Sequence, residues 1–301
     1  MATAVSSPAA ALPAGLAERI RRTVALLERR GYALPAERLA EVCLGGPVAP
    51  EQLPAAISAS GLAISSGVVV SPAAAARAAA IRERQAGHCG VAPRYLAEAH
   101  AFARTLAAWF PFVISVSVAG SLASGGFRET DDVDLNLVVE DGHRHLAYVA
   151  LNLLGVVHAL GHRGKPVDAH TTRPLAPRLM TANLVLERSD CFPLVRQDED
   201  MAYELLASRP VVGSAFLAAV TAANPGLAAH FPQLLGPLDP AAPVRPRLPS
   251  VLFPAFLDTP ARAIGKAAWR YMQWTRRHRP EALARVAFVR STMRPYALFD
   301  E

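Results

Sequence analysis

Residues 112–135 read FVISVSVAGSLASGGFRETDDVDL, an apolar run followed by a turn of small residues and then by two closely spaced carboxylates. The β-branched side chains of 112–119 predict a buried strand. Gly120 ends that strand, and because it lacks a Cβ it lets the backbone approach a ligand. If a helix begins there, its free N–H groups suit phosphate oxygens, and Ser121 adds a hydroxyl donor. We therefore predict that Gly120 and Ser121 bind phosphate.

The carboxylates begin a second predicted strand, VDLNLVV at 133–139. On a strand, residues i and i+2 point to the same side, so Asp132 and Asp134 project together while Val133 and Leu135 face the core. Two negative charges held this close repel each other unless a cation lies between them. Hard oxygen ligands favour Mg²⁺ or Mn²⁺. A phosphate cradle beside paired carboxylates indicates metal-assisted phosphoryl or nucleotidyl transfer.

Each part of this pattern also has a purely structural interpretation. GSLASGG could be a surface turn, and Asp131 and Asp132 could cap a helix or close a turn. Asp131 lies outside the strand alternation, so we interpret it as a turn residue or as a charge beyond the metal ligands. Both features occurring by chance at this spacing after a buried strand would be unusual.

The flanking sequence predicts a small α/β unit around this stretch. Two helices are expected within 72–109, the second ended by Pro111, and a long helix over 143–160. A third strand is expected at 166–172, PVDAHTT. Beyond it we expect helices at 198–207 and 212–223, a Pro-rich linker at 236–249, and a last helix with Thr259 as N-cap and Pro260 at its first position.

Gly120-Ser121, a ten-residue spacer and Asp132-Val133-Asp134-Leu135 resemble the signature of the DNA polymerase beta-like nucleotidyltransferase superfamily. The resemblance implies a mixed sheet flanked by helices. It also implies attack on the α-phosphate of a nucleoside triphosphate, with two divalent metals on Asp132 and Asp134. Pyrophosphate would leave near Gly120 and Ser121.

Many members of that superfamily use a third carboxylate on a later strand, which binds the catalytic metal and helps deprotonate the acceptor. By this resemblance Asp168 is the candidate, and the alternative for it is a turn or cap role. Some members lack the residue, and those that lose activity become binding proteins.

Residues 15–72 resemble a winged helix-turn-helix module, with three predicted helices and a hairpin around Ser65-Ser66-Gly67. The third helix would read the major groove. Residues 50–60, PEQLPAAISAS, contain no Lys or Arg, so this helix cannot neutralise phosphates. Duplex DNA is therefore a disfavoured partner, and a packing or protein-contact role is favoured.

Several basic and histidine side chains are further candidates. Arg128, Arg163 and Lys165 lie in predicted loops beside the site and could contact triphosphate, as could Lys266. In the last helix Arg262, Lys266 and Arg270 form a basic face, which is either solvated or directed at an anion. The apolar face, with Ile264, Ala268 and Tyr271, is expected to dock on the catalytic domain.

His158 and His162 are four residues apart and could bind a metal, but without a third ligand we favour a core or surface role.

The composition of the chain limits the classes of partner and compartment. The chain has 301 residues and a formal net charge of +6, which favours anionic partners such as nucleotides. Its three cysteines show no CxxC pair, so neither a zinc knuckle nor a disulfide framework is predicted. The first 14 residues suggest a disordered tail rather than a signal peptide, and the apolar segment 146–161 is too short and polar to span a membrane. We expect a cytoplasmic protein.

Together these patterns predict a mixed α/β (α+β) protein with five parts. They are a tail at 1–14, a winged-helix-like module at 15–72, a helical connector at 73–110, a catalytic domain at 111–235, and a linker with C-terminal helices at 236–301. The expected reaction moves a nucleoside monophosphate from an NTP to a small molecule or protein, with Mg²⁺ or Mn²⁺. The alternatives are a non-catalytic nucleotide-binding protein and a winged-helix regulator. The sequence leaves the acceptor, the NTP and the oligomeric state open.

Overall fold

The computed structural model describes residues 15–162, 180–275, 277–296 and 298–299. The protein is a mixed α and β structure that divides into two compact units. The first unit runs to Glu83 and includes His230–Gln233; the second comprises Arg84–Ala229 and Leu234–Glu301. Among the described residues, no helix is both long and apolar enough to cross a membrane.

The first unit contains three helices and a hairpin, as the sequence predicts. The helices are α1 (Leu16–Arg29), α2 (Ala36–Glu41) and α3 (Leu53–Ala59). Strands β1 (Ala63–Ser65) and β2 (Val68–Val70) pair antiparallel. Ser66 and Gly67, at the turn, both have positive φ angles, the backbone that a two-residue hairpin loop requires. The likeness to a winged helix stays a prediction.

One long helix replaces the two helices expected within 72–109, so that expectation is wrong. Residues 72–77 form a 3₁₀ turn, and α4 (Ala78–Trp109) then continues for 32 residues with Pro93 inside it. An internal proline removes a hydrogen bond and usually kinks or ends a helix. Here the helix continues through position 93, and the apolar face that it buries from Ala92 onward offsets that local cost. That face includes Ala92, Tyr95, Ala99, Phe102, Ala103 and Leu106.

A four-stranded mixed sheet forms the centre of the second unit, in the order β5-β4-β3-β6. Strand β3 (Val113–Ala119) pairs antiparallel with β4 (Val133–Val139), as the two predicted strands allow. Strand β5 (Met180–Glu187) is parallel to β4, and β6 (Arg209–Val212) is antiparallel to β3. Neither β5 nor β6 is predicted from the sequence. The strand predicted at 166–172 lies outside the described residues.

Helices connect and cover these strands. In chain order they are α5 (Gly120–Ser124), α6 (Arg144–Leu160), α7 (Glu199–Ala207), α8 (Ser214–Ala223), α9 (Pro225–His230), α10 (Asp258–Thr275) and α11 (Pro280–Met293). The core of the second unit is built from α4, the sheet strands and the inner face of α6. Of the three cysteines, Cys43 and Cys191 are buried and Cys89 is exposed on α4.

The docking face of α10 differs from the one predicted. Ile264 and Tyr271 are 60% and 65% exposed, whereas Ala261 and Gly265 are buried. A Cβ on Gly265 would lie 2.7 Å from Phe299 Cζ and 3.2 Å from Tyr148 Cδ1. Small residues therefore let α10 approach its neighbours closely, and the larger apolar side chains remain outside. Hydrophobicity alone points to the wrong face here.

Candidate functional site

The Gly-Ser turn lies directly against Asp134. Ala119, the last residue of β3, is the register partner of Asp134 on β4, so Gly120 follows at the same edge of the sheet. Gly120 has a φ of +60°, and a Cβ at this position would lie 2.1 Å from Asp134 Oδ2. Both the backbone conformation and the contact require glycine. The space that the missing Cβ leaves is taken by the Asp134 carboxylate.

Burial alternates over the first three residues of β4, as predicted. Val133 and Leu135 are fully buried and Asp134 between them is half-buried, as is Asp132 just before the strand. Thr181 on β5 donates a hydrogen bond of 2.8 Å from Oγ1 to Asp134 Oδ1. Asp134 is thus oriented from both neighbouring strands, by the turn after β3 and by the hydroxyl on β5.

Asp131 connects three parts of the site through one oxygen. Its Oδ2 accepts hydrogen bonds from Arg84 NH2 at 2.9 Å, Ser121 Oγ at 3.2 Å and the Arg128 backbone N–H at 3.0 Å. The side chains of Arg84 and Asp131 are only 21% and 12% exposed, so this ion pair is poorly screened by water. Asp131 therefore joins α4, the Gly-Ser turn and the loop that precedes β4, and the Ser121 hydroxyl is directed at it.

Helix α4 also holds the rest of that loop. Arg84 Nε donates to the Gly126 carbonyl, His88 Nδ1 accepts from the Phe127 N–H at 3.1 Å, and Tyr95 donates to Glu129 at 3.4 Å. Burial, reinforced by Arg209 and Arg84, lowers the pKa of His88, which keeps Nδ1 free to accept. Burial and the nearby Glu129 raise the pKa of Tyr95 to about 12.

Two of the predicted cations, Arg128 and Lys266, are described, and they lie in different places. Arg128 is exposed on the loop between α5 and β4, close to Asp131. Lys266 lies half-buried on α10, which packs against α6, and not on the strands that carry the turn and the Asp pair. Asp168, Lys165 and Arg163 lie outside the described residues.

Sequence reasoning missed Arg209. It is the register partner of Val118 across β3 and β6, so it lies exposed at the same edge of the sheet as Gly120. Its charge also contributes to lowering the pKa of His88. No local pattern marks it, because β6 is a four-residue strand interrupted by Pro210.

A row of polar side chains continues from Asp134 along the same face of the sheet. Asn183 Nδ2 donates to Asn136 Oδ1 at 2.8 Å, and both amides donate to Glu204 Oε1, at 2.8 and 3.1 Å. Glu204 comes from α7 and is buried. Beside the Asp pair, β5 carries a hydroxyl at Thr181 and an amide at Asn183.

The donors around Asp134 suit Mg²⁺. Asp132 and Asp134 are two residues apart at the start of β4, and Thr181 adds a hydroxyl, so the nearby groups are hard oxygens of the type that Mg²⁺ prefers. The two Asp residues are the ones that would hold such an ion.

We find no match for this chain among protein-family models, curated proteins or solved structures.

Proposed function

We propose that this protein is a nucleotidyltransferase that moves a nucleoside monophosphate from an NTP to an acceptor and releases pyrophosphate. The acceptor is a small molecule or a protein group. The observation that carries the proposal is the contact between the Gly120 turn and Asp134, with Asp132 two residues earlier, just before β4. The turn proposed to bind phosphate and the carboxylate proposed to bind the metal are therefore adjacent.

In this proposal each group has a defined task. Asp132 and Asp134 hold Mg²⁺ or Mn²⁺, and Thr181 fixes the orientation of Asp134. An ion held there would neutralise the charge that develops on the α-phosphate of the transferred nucleotidyl group. Gly120 and Ser121 contact the leaving phosphates through their backbone N–H groups, since the Ser121 hydroxyl donates to Asp131. Arg209 and Arg128, at the edges of the same site, counter the triphosphate charge.

A transfer assay tests the proposal directly. The protein is incubated with each α-labelled NTP, Mg²⁺ or Mn²⁺, and an extract of the source cells, and the label is followed into small-molecule and protein fractions. We expect incorporation by the wild type and its loss in Asp132→Asn and Asp134→Asn. Asp239→Asn, an exposed carboxylate in the Pro-rich segment, is the matched control and should transfer normally. Incorporation that survives both site substitutions would overturn the proposal.

A second candidate function is nucleotide binding without transfer. It is favoured by Thr181 and Asn183, which place neutral groups on β5, the strand beside the Asp pair. A catalytic third carboxylate on a neighbouring strand would be negatively charged, and these two side chains are not. Titration calorimetry with the four Mg-NTPs separates the two functions. Binding that depends on Asp132 and Asp134 without any label transfer supports the second candidate. If no NTP binds the wild type, both candidates are wrong.

A further inference from the structure

Three side chains with metal-binding atoms meet between α4 and the end of α6. Glu98 comes from α4, His158 from the last turn of α6, and His162 from two residues beyond that helix. One potential ligand atom from each lies within 4.8 Å of the others. The sequence shows the two histidines four residues apart, and the fold adds the carboxylate from 60 positions earlier in the chain.

Two atoms of this group are buried and lack a hydrogen-bond partner. They are Glu98 Oε2 and His158 Nε2. Buried polar atoms are nearly always paired, so two orphans at one place require an explanation. His162 Nε2 lies 3.7 Å from Glu98 Oε2. A cation between these atoms would satisfy both orphans at once.

The spacing suits a tetrahedral transition-metal ion. With metal–ligand bonds of about 2.1 Å, neighbouring ligand atoms in a tetrahedral zinc site lie about 3.4 Å apart. The separation of 3.7 Å between His162 and Glu98 is close to that value. The side chains of His162 and Glu98 are 20% and 19% exposed, which leaves access for a water molecule as a fourth ligand.

The surroundings orient these side chains as in metal sites. Arg94 Nε donates to the other carboxylate oxygen, Glu98 Oε1, at 3.1 Å. The ring of Phe102 packs edge-on against His158, with centroids 5.5 Å apart.

We propose that Glu98, His158 and His162 bind a Zn²⁺ ion. Two imidazole nitrogens and one carboxylate select zinc over Mg²⁺, which prefers all-oxygen sites. The site is separate from Asp132 and Asp134, and the proposal does not rest on nucleotidyl transfer. The ion would join α4 to the end of α6.

Zinc titration of the chelator-stripped full chain tests the site. In competition with a chromophoric chelator we expect one tight equivalent per chain. His158→Ala, His162→Ala and Glu98→Ala should each weaken zinc binding on the order of 100-fold, and Arg94→Ala, which removes only the orienting bond, about tenfold. His100→Ala, an exposed histidine on α4, and Cys89→Ser, the exposed thiol, are matched controls and should bind zinc as the wild type does.

Cobalt spectroscopy uses the wild type alone, so its result does not depend on whether the variants fold. We expect the visible d–d absorption of a four- or five-coordinate Co²⁺ ion without a thiolate charge-transfer band, and loss of the signal on adding Zn²⁺. The thermal midpoint of the wild type should rise with zinc concentration, since the ion binds the folded state. The proposal is overturned if no stoichiometric zinc binds, if the affinity survives all three ligand substitutions, or if Cys89→Ser removes it.

Discussion

Gly120 and Asp134 are in direct contact across the ends of β3 and β4, with no room for a Cβ between them. The site carboxylate is therefore positioned by the absence of a side chain on the neighbouring strand. This relationship, together with the hydrogen bond from Thr181, leaves Asp134 little freedom to rotate.

Gly120→Ala should destabilise the protein by about 2–4 kcal/mol, because it adds a clash with Asp134 to an unfavourable positive φ. Gly125→Ala is the matched control. Gly125 has a φ of +90° but nothing within 4 Å of its Cβ position, so its cost should be about 1 kcal/mol. Urea denaturation measures both, and equal losses would contradict the role given to the Asp134 contact.

Arg84→Met should loosen the loop before β4, because it leaves Asp131 without its buried guanidinium partner. We expect a loss of about 1–3 kcal/mol in the free energy of unfolding. Arg82→Met, an exposed position on the same helix, should cost less than about 0.5 kcal/mol. A double-mutant cycle with Asp131→Asn should return a coupling energy of about 1 kcal/mol or more, and additive effects would rule out the pairing.

Glu204→Leu should be costly because it removes the acceptor shared by the amides of Asn136, which is buried, and Asn183, which is half-buried. Asn183 keeps its bond to Asn136 Oδ1, so the loss falls mainly on the Asn136 amide and should cost about 1–3 kcal/mol. Glu204→Gln keeps an oxygen in the same place and should cost about 1 kcal/mol or less. Chemical denaturation compares the two. A glutamine variant as unstable as the leucine variant would show that the acceptor geometry is not what matters.

Asp258 should contribute a pH-dependent part of the stability. Its carboxylate accepts from the N–H groups of His145 and Leu146, at the start of α6, and pairs with the His145 ring. Burial alone would raise the pKa of Asp258, but the bonds from His145 and from the Leu146 N–H outweigh it and lower the pKa. A carboxyl group whose pKa is lowered in the folded state stabilises the fold at pH values above its pKa in the unfolded chain, about 3.9. That contribution disappears as the pH falls through the pKa of the folded state.

Asp258→Asn should therefore lower the free energy of unfolding by about 1–2 kcal/mol at about pH 7. The difference in this free energy between the variant and the wild type should become smaller below about pH 4. Asp239→Asn, at an exposed position, serves as the control at both pH values. Denaturation curves across this range provide the measurement. A difference that stays constant down to about pH 2 would exclude the carboxylate charge as its source.

The strand at 113–119, the Gly-Ser turn and the strand that begins at Val133 were predictable because they depend on neighbours along the chain. A β-branched run and a period of two identify strands wherever the chain lies. The division of 72–109 into two helices was wrong for the opposite reason, since α4 continues through Pro93 and packs on distant strands. The same holds for Gly265, whose close contacts select the buried face of α10.

Local patterns in the sequence were enough to predict two carboxylates and a glycine turn at the ends of neighbouring strands. The side chains that surround them follow from how the chain packs. Arg84 meets Asp131 across 47 positions of the chain, and Thr181 meets Asp134 across another 47. Glu98 likewise reaches two histidines that the sequence left without a third ligand. Such contacts depend on how helices and strands pack, and no local pattern of residues encodes which distant side chain will complete a site.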